Sequence, residues 1–311
     1  MRSVVVEQFG GPEVLSVVEL PEPELGPRDV RVQVAASSVN AIDLSTRAGR
    51  LAAAGLMSRP DRVGMGWDVA GEVVEVGAAV ADVRVGDAVV GLRDLLVAPG
   101  AHAESVVLAG SAVTPAPRTW SAVEAATLPL NGLTALGALA AAGLDTGDTV
   151  LVTGAGGGVG GYLLELCRDR GIRTIASTRP GRGQRARELG ADVVVGDEDL
   201  GQAVRAACGG GVDAVVDAAV RGVAAHEALR SGGTFVALVR PFAPPPIRGT
   251  RVVVHEVGAD ARRLAGLVRL ADRGRLTPRV AATVPLAEAA RAHELLERGG
   301  LDGRVVLVPS A

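Results

Sequence analysis

Apolar and polar residues alternate in short runs over the first third of the chain. Residues 4–6, 15–20 and 30–35 are rich in β-branched side chains, and Gly10-Gly11-Pro12 and the prolines of 21–27 separate them. That pattern predicts short strands with turns between them. Residues 39–51 suit a short helix. Residues 68–76 and 83–90 suit two more strands, with Gly77 and Gly86-Asp87 as turns. Many short strands joined by glycine turns predict a barrel-like all-β domain.

The texture changes at 112–117. Residues 121–126 and 133–142 read as alanine-rich helices, with Ser121 as N-cap and Glu124 three residues later. From residue 149 the period switches back and forth. Strands are predicted at 174–177, 193–195, 214–216 and 234–239, and helices at 182–188, 201–207 and 223–229. Alternation at this spacing predicts a parallel sheet with helical crossovers, so the fold class is α/β. After the proline-rich loop 241–246 come a strand at 251–257, amphipathic helices at 261–273 and 286–297, and a closing strand at 305–308.

Between the first strand of that alternation, 150–152, and the helix from Tyr162 lies Thr-Gly-Ala-Gly-Gly-Gly-Val-Gly-Gly. Strand, glycine turn and helix in this order form the phosphate-binding start of a dinucleotide-binding fold. Missing side chains let the backbone approach a diphosphate, and the helix N-terminus offers N–H groups and a positive dipole end. Two registers fit: Gly156, Gly158 and Gly161, or Gly154, Gly157 and Gly160. Val159 lies within the same turn. A flexible linker would not be flanked by a buried strand and a helix at these distances.

Composition narrows the function. The chain has 311 residues with 48% hydrophobic and 22% charged content, enough for a large core in one or two domains. A formal net charge of −3 leaves no basic excess for nucleic acid. Lysine is absent, which excludes Schiff-base chemistry on a lysine. Cys167 and Cys208 are the only cysteines; Cys167 falls on the apolar face of the glycine-turn helix and reads as core. Residues 1–4 lack the apolar core of a leader, and no stretch is expected to reach the roughly twenty apolar residues of a membrane span. A cytoplasmic protein with no membrane partner is expected.

Several segments together resemble the zinc-independent quinone oxidoreductase and enoyl reductase branch of the medium-chain dehydrogenase/reductase superfamily. They are Val39-Asn40-Ala41-Ile42-Asp43, Gly66-Trp67-Asp68-Val69-Ala70-Gly71, Val83-Arg84-Val85-Gly86-Asp87, Gly132-Leu133-Thr134-Ala135, the glycine turn, Glu188-Leu189-Gly190-Ala191-Asp192, Gly211-Val212-Asp213-Ala214-Val215-Val216-Asp217 and Gly303-Arg304-Val305-Val306-Leu307. The resemblance implies a GroES-like β-barrel domain, residues 1–118 and 261–311, plus a Rossmann doubly wound parallel-sheet domain, residues 119–260, with the active-site cleft between them. It also implies a homodimer through strand 251–257. An unpaired edge strand there would invite aggregation.

The resemblance places zinc ligands near residues 38 and 67 in metal-dependent relatives. This chain has Ser37-Ser38 and Gly66-Trp67 there, and its histidines at 102, 226, 255 and 293 lack ligand spacing, so no metal is expected. Hydride delivery from a nicotinamide to an activated C=C or a quinone remains. The second strand ends Ser177-Thr178-Arg179, with Arg182 and Arg185 following, and carries no carboxylate of the kind that holds the ribose of NAD. Hydroxyls and guanidinium groups there favour NADPH; the same arginines would equally serve as a solvated face. Acidic Asp197, after the third strand, would oppose a 2′-phosphate.

The resemblance puts Asn40, Asp43 and Thr134 around the nicotinamide and its ribose, with Leu238 and Val239 flanking the ring. Asn40 could equally be a turn residue and Asp43 a helix N-cap. His102 is a candidate proton donor or a packing residue, and water could protonate an enolate unaided. A small-molecule substrate is expected near Trp67, Leu92 and Phe242, beside loops 44–65, 92–102 and 240–249. The expected activity is NADPH-dependent reduction of a quinone or an α,β-unsaturated carbonyl, and the GC-rich character of the sequence hints at a setting in secondary metabolism. A cofactor-retaining cyclase or isomerase and a non-catalytic NADPH-binding protein stay open as alternatives.

Overall fold

The computed structural model describes residues 1–58, 61–94 and 99–309. In chain order the strands begin with β1 (Arg2–Val6), β2 (Ser16–Glu19), β3 (Asp29–Val39), β4 (Val63–Gly64), β5 (Asp68–Val76), β6 (Ala88–Leu92), β7 (Ser105–Ala109) and β8 (Val113–Pro115). They continue with β9 (Thr149–Thr153), β10 (Arg173–Ser177), β11 (Val193–Val195), β12 (Val212–Asp217), β13 (Leu229–Ala237), β14 (Arg251–Val254), β15 (Val280–Pro285) and β16 (Arg304–Val308). The helices are α1 (Ala41–Arg47), α2 (Arg50–Ala53), α3 (Ala122–Ala125), α4 (Pro129–Ala142), α5 (Gly158–Arg170), α6 (Gly183–Glu188), α7 (Leu200–Cys208), α8 (Val223–His226), α9 (Ala261–Asp272) and α10 (Ala289–Arg298).

Backbone contacts divide the chain into two units. One comprises Met1–Leu130, Gly258–Arg273 and Pro278–Ala311; the other comprises Asn131–Val257 and Gly274–Thr277. The first unit therefore runs on past Arg118. Its main sheet has the order β15-β16-β3-β5-β6-β8, with β7 also paired to β3. Both chain ends build it, because β16 lies antiparallel to β3 with Val305 opposite Val39. Alternate residues of β3 and β5 (Val30, Val32, Val34, Val69, Val73) share one core with Val89, Val106 and Val113.

The second unit is organised by one sheet in the order β11-β10-β9-β12-β13-β14. Every neighbouring pair in it is parallel. Such strands must be apolar on both faces, and Leu151, Ile175, Val215 and Phe235 are all buried in its core. Strand order reverses between β9 and β12, the switch point beside which open parallel sheets bind ligands.

Several expected elements differ. The strand expected at 83–90 begins only at Ala88: Arg84 N–H donates to Asp87 Oδ2 at 2.8 Å and Gly86 adopts φ 91°, so the chain turns first. The helix expected at 223–229 ends at His226, because Leu229 already pairs with Val212 as the first residue of β13. That strand closes at Ala237, so Leu238 and Val239 lie beyond it rather than on it. β14 has 4 residues instead of reaching 257, a short and half-buried edge. Strands β4, β7, β8 and β15 fall where the sequence pattern predicts none.

Contrary to expectation, one stretch among the described residues, Ala122–Ala142, is long and apolar enough to span a membrane, with mean hydropathy 1.4. Yet 78% of that window is buried inside the protein, as in a core helix. Its start is built as expected. Glu124 N–H donates to Ser121 Oγ at 3.3 Å and Ser121 N–H donates to Glu124 Oε2 at 2.8 Å, a reciprocal cap on α3. Ser121→Ala is expected to cost about 1 kcal/mol in urea unfolding; no change would show that α3 is held by packing alone.

Candidate functional site

In the second unit, β9 feeds the glycine turn directly. Gly154 adopts φ 61°, which reverses the chain after Thr153. Gly157 is the N-cap of α5 and is solvent-exposed. A Cβ on Gly160 would lie 2.3 Å from Gly154 O and 2.6 Å from Ala155 Cα, so the helix can close on the strand only over a glycine. Tight turn, exposed helix start and close packing thus fall on Gly154, Gly157 and Gly160. At Gly156 a Cβ would meet nothing nearer than Arg182 Cβ at 3.6 Å, and Gly156 carries no such constraint. The steric demand for glycine thus falls on Gly160, a member of the 154–157–160 register, and not on Gly156. Gly158 and Val159 open α5, with Val159 half-buried. The turn fits a diphosphate: backbone without side chains at the N-terminus of a 13-residue helix.

Ser177 ends β10, and its carbonyl accepts Ala155 N–H at 3.1 Å, tying the strand tip to the turn. Its hydroxyl is not turned outward, because it donates to Asp197. Asp197 also forms an ion pair with Arg221. Thr178 is nearly buried, Arg179 is exposed and Arg182 is half-buried. Asp197 and Arg221 are the pair that sequence reasoning did not join: nothing in a spacing of 24 residues signals the contact.

The next loop is held by Asp217 at the end of β12. Thr153 Oγ1 donates to it at 2.6 Å, Arg221 N–H at 2.9 Å and Gly222 N–H at 2.8 Å. These bonds hold Val220 at φ 57°, a costly conformation for a β-branched residue. Beside it, Asp217, Val220, Ala237, Leu238, Val239 and Phe242 line a shallow concavity at the strand ends. Val239 and Phe242 are exposed there, so the expected apolar pair lies on a concave surface. Thr134 sits on α4, 9% exposed.

In the first unit the predicted residues converge where β3 enters α1. Asn40 is the N-cap of α1 and Asp43 is its third residue, so Asp43 is not the N-cap. Asp43 is fully buried and accepts N–H groups from Asn40 at 2.8 Å and Gly66 at 3.1 Å. Burial raises its pKa to about 7 against the pull of those bonds. Asn40 Nδ2 donates to Asp68 Oδ2 at 2.7 Å. Asp68 accepts Leu130 N–H at 2.7 Å and the Ser38 hydroxyl as well, and burial raises its pKa to about 6. Sequence reasoning quoted Asp68 within a motif but gave it no role.

His102 is fully buried. Its Nε2 faces Ser38 O at 3.2 Å, so that nitrogen carries the hydrogen, and burial lowers its pKa to about 4. A neutral imidazole with its N–H committed to a backbone carbonyl is not placed to protonate a ligand. Leu92 is also fully buried and Trp67 8% exposed, so neither offers the substrate surface expected of it. Of loops 44–65 and 92–102, residues 59–60 and 95–98 lie outside the described residues.

Two families match: one described as an alcohol dehydrogenase GroES-like domain over residues 26–118, and one as a zinc-binding dehydrogenase over residues 189–307. The residues here do not fit the zinc of the second description. Ser38 commits its hydroxyl to Asp68, and Trp67 offers no imidazole or thiolate. Among the described residues no three His, Cys, Asp or Glu side chains gather to hold a metal ion. The chain is 32% identical over 97% of its length to the spectinabilin polyketide synthase system protein NorB of Streptomyces orinoci, but spans only 14% of that protein. It is 29% identical over 99% of its length to an NADPH-dependent alkenal/one oxidoreductase of Arabidopsis thaliana, covering 80% of that protein. A mycobacterial structure complexed with NADPH superposes with TM-score 0.85 at 30% identity, covering 99% of this chain and 100% of that one. NAD-dependent alcohol dehydrogenases are also among the similar proteins. A quinone oxidoreductase of Pseudomonas aeruginosa is 31% identical over 97% of both chains, and together with the two family matches this shows that the chain belongs to the quinone oxidoreductase branch of the medium-chain dehydrogenase/reductase superfamily.

Proposed function

We propose that this protein is a reductase that takes hydride from NADPH and delivers it to a quinone or an α,β-unsaturated carbonyl compound. The observation that carries the reading is the Gly154–Gly157–Gly160 turn, followed at the tip of β10 by Ser177-Thr178-Arg179 with no carboxylate from that strand. NADPH supplies the hydride when bound. The backbone of the glycine turn holds its diphosphate, and Thr178, Arg179 and Arg182 offer a hydroxyl and positive charge toward the adenosine end. Leu238 and Val239 offer an apolar wall to the nicotinamide, with Thr134 toward its ribose. Asp68 fixes the Asn40 amide, which narrows what that amide can present to a ligand. The proton that completes an enone or quinone reduction comes from water, since His102 cannot lend one.

The names of the similar proteins support this substrate class, and the polyketide synthase relative supports a setting in secondary metabolism. We place the protein in the cytoplasm, as a homodimer through the edge strand β14. Loss of NADPH absorbance with a panel of quinones and enones tests the activity. Oxidation is expected to be fast for at least one class and unchanged by a metal chelator. Tight NADPH binding without oxidation of any of them, or activity abolished by chelation, overturns it.

A further inference from the structure

At the tip of the second strand, about twenty residues past the glycine turn, NAD-binding sheets place a carboxylate that accepts the ribose hydroxyls. Here that tip is Ser177, and its own strand supplies no acid. The neighbouring strand does. Asp197, just beyond β11, accepts the Ser177 hydroxyl through Oδ1, and its other oxygen takes the Arg221 guanidinium. Three strand ends therefore bring a hydroxyl, a carboxylate and a cation to one place. The Asp197 and Arg221 side chains are 19% and 37% exposed, so a ligand can reach them. Among the described residues the Arg221 side chain makes no other hydrogen bond than the one to Asp197. Its backbone N–H is pinned to Asp217 at 2.9 Å, so the side chain can swing without moving the loop.

We propose that Asp197 and Arg221 act together as the selector between NADPH and NADH at the adenosine 2′ position. The inference rests on the nicotinamide-nucleotide reading above and deepens it. A phosphomonoester carries about −1.5 to −2 charges at neutral pH. Facing Asp197 alone it would be repelled. Arg221 cancels that carboxylate and, turned toward the phosphate, gives it charge-assisted N–H bonds, while the Ser177 hydroxyl rotates to the same group. Without a 2′-phosphate, Asp197 accepts the ribose hydroxyls as a carboxylate on the second strand would. Paired as they are, the two residues hold the preference for NADPH to a modest one, and each restrains the other.

Calorimetric dissociation constants for NADPH and NADH, on the wild-type chain and on Asp197→Asn, Arg221→Ala and Arg221→Lys, test this. Asp197→Asn is expected to raise the NADPH:NADH affinity ratio about tenfold, and Arg221→Ala to lower it about tenfold or more, with Arg221→Lys between. An ion pair that only ties two loops together would lower the unfolding temperatures of the variants and leave the ratio where it was; that outcome overturns the proposal. Wild-type protein that binds neither nucleotide would overturn the nucleotide reading itself, a result distinct from an unmoved ratio.

Discussion

Gly160→Ala is expected to destabilise the protein by about 1–3 kcal/mol and to remove most of the stabilisation that NADPH confers. The added Cβ would sit 2.3 Å from Gly154 O and 2.6 Å from Ala155 Cα. Both are backbone atoms, so no flexible side-chain end can yield, and α5 must lift from β9. Lifting it also displaces the N-terminus of α5 that is to face the diphosphate, so stability and binding should fall together. Gly156→Ala is the internal control. It adds the same atom in the same turn, but the nearest contact is 3.6 Å and the change in stability is expected to stay within about 0.5 kcal/mol. Thermal unfolding with and without NADPH measures both quantities. Equal losses for the two variants would mean that the 154–157–160 register is not the one the fold depends on.

That control also shows where the sequence was readable and where it was not. Six glycines among nine residues announce a turn, but they do not say which one sits under the helix; the distance from Gly160 to Gly154 O does. The parallel sheet was legible because each of its strands must be apolar on both faces, and 193–195 was read with its true ends. Boundaries failed where a turn competes with an apolar run. Val83 and Val85 look like strand, yet Asp87 captures the Arg84 N–H and holds the chain back until Ala88. At β13, Leu229 joins the sheet by a register shift against β12, which no periodicity encodes. The polar cluster was half legible. Asn40 and Asp43 were singled out by the family resemblance. Asp68, which gathers Ser38 and Asn40 from one segment and Leu130 from another, was quoted in a motif but nothing local pointed to these partners.

Asp43→Ala is expected to be costly, and the cost should depend on pH in a definite direction. The substitution leaves two buried N–H groups, of Asn40 and Gly66, without their acceptor, at about 1–3 kcal/mol each. The pH term follows from burial. Asp43 titrates near 7 in the folded protein against 3.8 as an unperturbed group, so between those values the folded chain holds a proton the unfolded chain has released. Its contribution is complete below about pH 4 and is lost as pH rises through 7. Asp68, raised to about 6, behaves alike over a narrower window. His102, lowered from 6.5 to about 4, and the buried His293, also lowered by burial, contribute in the opposite sense: their share is present above 6.5 and is lost as pH falls. In the wild-type chain these terms offset one another between about pH 4 and 6, which predicts a shallow profile. Removing Asp43 removes one side of that balance. The stability gap between wild type and Asp43→Ala should be widest below about pH 4, narrow by on the order of 1 kcal/mol per pH unit from there to 7, and hold steady above it. Urea unfolding midpoints at pH 5, 6, 7 and 8 measure the gap. Parallel profiles would show that Asp43 is already ionised in the folded protein at pH 5, held so by the two N–H groups it accepts.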